Sequence, residues 1–192
     1  MKNVIIIGAS GNIAKLVTEI LVEKYDIKLT LFVRTKSRLR SEHVSKCRII
    51  EGNVMDYNNL RAAITGQDIV YVNLAGDLEA MSRNIVKALQ ESGVKRIIAI
   101  SSIGIYETPL RSVLIPYRRL ADTIESSNLD YTIIRPQWFT DEDEVDFELT
   151  RKGEAEKGSV ISEKSLATFI AQVIESSEKY VRENLSINKP NS

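Results

Sequence analysis

An α/β fold built on a doubly wound parallel sheet is what the sequence predicts, and three observations carry it. Short apolar runs, of the kind buried on both faces of a sheet, alternate with longer segments of helical period. The first run passes straight into a turn bearing two glycines and then into a helical pattern. Gly52, Gly66, Gly93 and Asn128 fall between the elements, where turns and helix ends favour them. Such alternation means a parallel sheet covered by helices on both faces.

Taken in order, strands are expected at 3–7 (NVIII), 28–33 (KLTLFV), 47–51 (CRIIE), 69–73 (IVYVN), 96–101 (RIIAIS) and 131–135 (YTIIR). The first helix is expected at 12–24, with apolar positions at Ile13, Leu16, Val17, Ile20 and Leu21. Further helices are expected at about 57–65, 79–92, 112–127 and 163–177. The pattern degrades after Pro136. Residues 141–148 (DEDEVDFE) hold six acids in eight and read as a solvated surface loop, with a moving flap over a site as the second reading. The tail 183–189 (ENLSINK) is a candidate last strand.

Composition narrows the function classes. The 192 residues suit one domain with a real core. Acids and bases balance at 26 each, which argues against a nucleic-acid or membrane-surface partner, since both favour a basic excess. No apolar run approaches the roughly 20 residues that span a bilayer. No signal peptide is recognisable, and Cys47 is the single cysteine, so a cytoplasmic address without internal disulfides is expected. With His43 as the single histidine, a Cys/His metal site, a Ser-His-Asp triad and a Cys-His dyad are all disfavoured, and no metal is expected.

The turn in VIIIGASGNIAK, residues 4–15, carries the first functional signal. A helix N-terminus presents unpaired N–H groups and partial positive charge, which suit a phosphate. Gly8 allows a sharp turn, Gly11 removes a side chain where a pyrophosphate could approach, and Ser10 adds a hydroxyl. Asn12 and Ile13 open the helix beside them. A tight turn without ligand is the plainer reading; its place at the first strand and first helix favours a dinucleotide. A P-loop is disfavoured, because Ile13-Ala14-Lys15 stands where Gly-Lys-Ser/Thr would be.

The second strand ends Phe32-Val33-Arg34-Thr35-Lys36-Ser37-Arg38, with three cations and no acid. NAD sites usually place an acid there for the ribose 2′-OH. An Arg can instead grip a 2′-phosphate through a fork of donors. NADP(H) is therefore expected over NAD(H), with Arg34 as the main contact and Lys36 or Arg38 assisting. A solvated basic turn is the plainer reading.

The pieces GASGNIA, FVRTKSRL, EGNVMDYNNLRAAITGQDIVYVNLAG, GVKRIIAISSIGIY and SNLDYTIIRP together resemble the atypical short-chain dehydrogenases/reductases of the NmrA-like, NAD(P)H-binding kind. The likeness covers about residues 3 to 136, and 158–177 is similar to the family's later strand and helix. It implies a Rossmann fold with a small C-terminal elaboration, about 136–192, that shapes the substrate cleft. It places Asn53 and Val54 beside adenine, and Leu74, Ala75 and Gly76 under the ribose and pyrophosphate.

The resemblance also implies where catalysis would lie. In the superfamily a Ser or Thr after the fifth strand polarises a carbonyl, a Tyr donates the proton, and a Lys four residues later lowers that tyrosine's pKa, since a free phenol near about 10 is a poor acid at neutral pH. Ser101 and Ser102 stand at that strand end, Ser102 as a catalytic hydroxyl and Ser101 beside the cofactor; a cap or strand-end hydrogen bond is the plainer reading. Tyr117 is the tyrosine of the following helix, where Tyr117-Arg118-Arg119 could make a cation-assisted tyrosine and a surface helix face is the plainer reading, yet Ala121 stands four residues on. Anchoring instead on Arg118 puts Leu114 four residues earlier, so neither register gives Tyr-x-x-x-Lys. Tyr106 is a second possible donor, from a loop. Pro136, Trp138 and Phe139 follow the sixth strand and are candidates for an aromatic wall beside a planar substrate, or for anchors of the acidic loop. Arg135 is expected to pair with a carboxylate or carbonyl.

The expected function is a small NADPH-dependent oxidoreductase acting on a quinone, flavin or similar planar acceptor. A non-catalytic NADP(H) sensor or partner-binding protein is the alternative. An epimerase or dehydratase is weaker, because the Tyr-Lys pair is missing and the C-terminal part is short.

Overall fold

The computed structural model describes residues 1–39 and 42–192. In chain order the elements are β1 (Lys2–Ile7), α1 (Asn12–Leu21), β2 (Ile27–Val33), β3 (Arg48–Glu51), α2 (Tyr57–Ile64), β4 (Ile69–Val72), α3 (Leu78–Ser92), β5 (Arg96–Ile100), α4 (Ile115–Glu125), β6 (Asp130–Pro136), β7 (Trp138–Thr140), β8 (Glu148–Arg151), β9 (Val160–Ser162), α5 (Glu163–Glu175) and β10 (Glu183–Asn188). One eight-stranded sheet runs β3-β2-β1-β4-β5-β6-β10-β8. Its pairs are parallel except β10 with β8.

The alternation of side chains along β1 explains the two layers of helix. Val4 and Ile6 point into one core, with Ile13, Val17 and Leu21 of α1 and Phe169, Ile170 and Ile174 of α5. Ile5 and Ile7 point into the other, with Leu60 and Ile64 of α2, Ile85 and Leu89 of α3, and Leu120 and Ile124 of α4. All four β1 side chains are fully buried, each worth roughly 1.5–3 kcal/mol of transfer free energy. A polar residue at any of them would break one layer.

The strand order reverses at β1: the chain winds outward through β2 and β3, then returns to β4 on the other side. Such a reversal opens a crevice beyond the carboxyl ends of β1 and β4, where open α/β sheets hold ligands.

Four features depart from the sequence expectation. The helix expected at 112–127 is a short helical turn at Ser112–Leu114 followed by α4, whose first turn holds Pro116, where a missing N–H costs nothing. The tail does form a strand, but β10 is inserted inside the sheet between β6 and β8. Strands β7 and β8 go beyond the expected elements, since strands of three or four residues carry no readable period, while β9 and α5 form the strand and helix that the resemblance implies for 158–177, with β9 paired to β7 in a small separate sheet. The acidic run is not simply solvated. Lys189 Nζ lies 2.8 Å from Glu142 and 2.9 Å from Glu144, the Ser162 and Ser165 hydroxyls donate to the Glu144 carbonyl, and the Phe147 ring lies 5.3 Å from that of Phe169. Its last acid, Glu148, opens β8.

Candidate functional site: a two-lobed cleft at the strand ends

The glycine turn is shaped by the end of β4. Gly8 has φ +87°, and a Cβ there would stand 2.1 Å from the Asn73 carbonyl oxygen. A Cβ on Gly11 would stand 2.5 Å from Asn73 Nδ2. The space that the sequence reading left for a pyrophosphate at Gly11 is thus shared with the Asn73 amide. Asn73 is held by its N–H, which donates to the Ile7 carbonyl at 2.9 Å. Nothing in the apolar pattern of β4 had singled it out.

The start of α1 is left open. Asp56, Asp77 and Ser162 cap α2, α3 and α5 with side-chain hydrogen bonds, but Gly11 provides none for α1. The first-turn donors of α1 therefore keep their capacity for an anion, in a turn that lines a cleft.

That cleft has two lobes. The first, of about 320 Å³, runs from Ser10 and Gly11 past Phe32, Arg34 and Arg38 to Asn53, Val54 and Met81. Arg34 and Arg38 are exposed, and neither side chain makes a hydrogen bond or ion pair among the described residues. Thr35 joins them on the wall. The Lys36 side chain lines neither lobe; its backbone N–H donates to Glu51 Oε2 at 2.8 Å. Arg38 and Ser10 also border a smaller recess of about 260 Å³ that includes Asn12 and the cation Lys15. Asn53 Oδ1 accepts from the Met55 N–H at 3.0 Å, which leaves its amide donors for the lobe, while Asn84 fixes Val54 through its carbonyl at 3.2 Å.

The second lobe, of about 550 Å³, shares Gly11, Asn73, Leu74 and Ala75 with the first. Gly76 lines neither lobe. The second lobe adds Asn12, Ile13, Ser101, Ser102, Tyr117, Pro136, Trp138 and Phe139, so residues from distant stretches meet there. Ser101 is buried, and its hydroxyl donates to the Tyr117 carbonyl at 3.0 Å, the strand-end role weighed as the plainer one. Tyr117 and Ser102 remain as hydroxyls on the wall, and no lysine or histidine lines it. Trp138 and Phe139 are 68% and 49% exposed on β7.

Tyr106 is the donor candidate that the structure removes from this lobe. Its hydroxyl accepts from Asn184 Nδ2 at 2.8 Å, and Arg118 and Lys152 each lie 4.7 Å from its ring centre. Burial, and then Glu125, push its pKa upward. The same polar cluster holds Arg135, 1% exposed, through Nε to Asn184 Oδ1 at 2.8 Å and an ion pair with Glu156. The expected carboxylate partner of Arg135 is thereby identified.

No helix among the described residues is long and apolar enough to cross a membrane.

Relatives share this architecture. A family model described as NAD(P)H-binding matches residues 8–177. A Rossmann-fold NAD(P)-binding family protein from Shigella flexneri is 44% identical, with 100% of this chain and 95% of that one covered and a TM-score of 0.92. A short-chain dehydrogenase/reductase from Veillonella parvula, solved in complex with NADP, is 26% identical over 99% of this chain and 95% of its own, with a TM-score of 0.88. Cinnamoyl-CoA reductase 1 of Petunia hybrida is 31% identical over 127 residues, 56% of this chain and 38% of that enzyme, so the chain spans well under half of that relative. With its open-ended first helix, its crevice at the strand reversal and a match over most of its length, the chain belongs to the NAD(P)H-binding family of Rossmann-fold proteins.

Proposed function

We propose that the protein is an NADP(H)-dependent reductase of planar acceptors, of the quinone or flavin kind. The observation that carries this reading is the pairing of a lobe bearing two arginines that are unpartnered among the described residues with a largely apolar lobe that no lysine or histidine lines. The residues fit the cofactor. Gly8, Ser10, Gly11, Asn12 and Ile13 would take the pyrophosphate at the open end of α1, with Asn73, Leu74 and Ala75 beneath it. Asn53 and Val54 would flank adenine. Arg34 would grip the 2′-phosphate, with Arg38 assisting and Lys36 too far round to line the lobe.

When bound, NADPH supplies a hydride, and the products of the proposed reaction are NADP⁺ and the two-electron-reduced acceptor. The protein's own work is orientation and exclusion of water. Trp138, Phe139 and Pro136 would cover one face of the acceptor, and Ser102 and Tyr117 would offer hydroxyl donors to its oxygens or nitrogens. No lysine lines the wall to play the part that lysine plays beside the tyrosine of short-chain dehydrogenases. That favours acceptors whose reduced form tolerates negative charge until water supplies a proton. The same gap favours a second reading, a redox sensor that binds NADP(H) without turnover.

NADPH oxidation with and without a panel of quinones and free flavins separates the two. Steady turnover is the expected result. Tight binding of the dinucleotide with no turnover on any acceptor would replace the reductase by the sensor.

A further inference from the structure

The acceptor lobe contains one cation, Arg111, that is unpartnered among the described residues. Arg111 lines it from the residue before the short helical turn at Ser112–Leu114. It is exposed, provides no cap for that turn, and its guanidinium makes no hydrogen bond or ion pair among the described residues. Arg118, one turn into α4, is by contrast spent on Asp122 at 2.8 Å and on the Ile105 carbonyl.

Apolar side chains share the lobe with Arg111. Val113 and Trp138, each 68% exposed, and Phe139 line the same lobe. The Gln137 amide nitrogen is spent on the Lys157 and Gly158 carbonyls at 3.1 and 3.0 Å. Glu163 is the other charged residue on the wall. It stands on the rim where the lobe meets a separate groove over α1 and α5, and it does not pair with Arg111.

We infer that this lobe selects conjugated, planar ligands carrying an anionic substituent, and that Arg111 is the specificity-determining residue that binds the anion. The inference rests on the reductase reading and names the acceptor class within it. An exposed ion pair alone is weak, because water competes for both charges. A flat ligand lying against Trp138 and Phe139 removes part of that water and presents its anion to a rigid fork of donors. Sulfonate, carboxylate and phosphate all satisfy this geometry. Glu163, on the same wall, repels the same anion, so the anionic end of the ligand is drawn to Arg111 and away from Glu163.

The test uses matched pairs: naphthoquinone with naphthoquinone sulfonate, and riboflavin with flavin mononucleotide. Trp138 is the chain's single tryptophan, so quenching of its fluorescence in NADP⁺-saturated protein reads binding without turnover. Wild type is expected to bind the anionic member of each pair at least about tenfold more tightly than the neutral one. Arg111→Ala should erase that ratio, and Arg111→Glu should invert it. Equal binding in wild type, or a ratio that survives Arg111→Ala, overturns the inference. So does an equal loss of NADP⁺ affinity in Arg111→Ala, which would assign the arginine to the dinucleotide. A clear anion preference with no NADPH oxidation on any acceptor would instead sink the reductase reading and leave the recognition standing.

Discussion

The two lobes of the cleft are built by opposite means. The first is made of strand-end turns: the Gly8–Gly11 turn after β1, Arg34 and Arg38 after β2, and Asn53 and Val54 after β3. Its contacts come from backbone placement, and the sheet fixes that placement wherever strands of this order are stacked. The second is made of side chains from the β5–α4 connection, the start of α4 and the β6–β7 segment. Nothing in the sheet's repeat dictates what those segments carry. The difference separates a part that follows from the fold from a part free to define the ligand.

The largest expected effect tests whether the second lobe depends on its buried support. Arg135 lies one residue before Pro136 and holds Asn184 and Glu156 from a fully buried position. Arg135→Ala strands those partners and is expected to cost about 3 kcal/mol of stability, at the low end for a broken buried pair because Glu156 is partly exposed. Chemical denaturation measures it; a loss below about 1 kcal/mol would show that the cluster is dispensable.

Next comes the first lobe. Gly11 has φ −75°, so a side chain there is not strained by the backbone, and the neighbour it meets is the movable end of Asn73. Gly11→Asp is therefore expected to fold and yet to lose at least about 100-fold in NADPH affinity, about 2.7 kcal/mol. Calorimetry on the folded variant decides it, and unchanged affinity would take the phosphate away from this turn.

Cofactor choice is a finer cut through the same lobe. NADPH is expected to bind more tightly than NADH by one to three orders of magnitude, roughly 1.4 to 4 kcal/mol. Arg34→Ala should reduce that ratio about tenfold or more, and raised salt should narrow it, because the arginine is exposed and screened. Equal wild-type affinities for the two dinucleotides would end the NADP assignment, and a ratio untouched by Arg34→Ala would pass the contact to Arg38.

The smallest effect is expected at Tyr117. With no lysine on the wall, Tyr117→Phe should change any acceptor turnover by less than about threefold, against the 100-fold or more of a working general acid. A loss of that larger size would mean that the phenol is activated by a group other than lysine.

The first lobe was largely legible in the sequence, because turn glycines and strand-end charges keep their meaning at fixed places in a βαβ unit. Lys36 shows the limit: three cations in five residues announced a basic turn, but only the chain's path could show that Arg34 and Arg38 face the cleft while the Lys36 N–H is turned to Glu51. Asn73 was hidden for another reason. Its function is to fill space opened by two glycines more than sixty residues earlier, and no local pattern records that contact. Val113 was hidden by an expected helix that begins later than its apolar period suggested, and Arg111, one residue before that expected helix, stood in a connection with no motif to single it out. Ser101 was visible as a hydroxyl at the correct strand end, but not as one already committed to the Tyr117 carbonyl.

The two outer strands of the sheet have a bearing on how copies of this protein behave together. Strand β3 reads Arg-Ile-Ile-Glu and β8 reads Glu-Leu-Thr-Arg, so each open margin is four residues long and closed at both ends by opposite charges. Glu51 already accepts the Lys36 N–H, and the Arg151 N–H is taken by Glu154 at 2.9 Å. A strand arriving from another molecule would have to displace the bond at the Arg151 N–H and desolvate the charges that flank both margins, in exchange for a very short ladder. The margins thus oppose edge-to-edge aggregation and leave the sheet finite at eight strands.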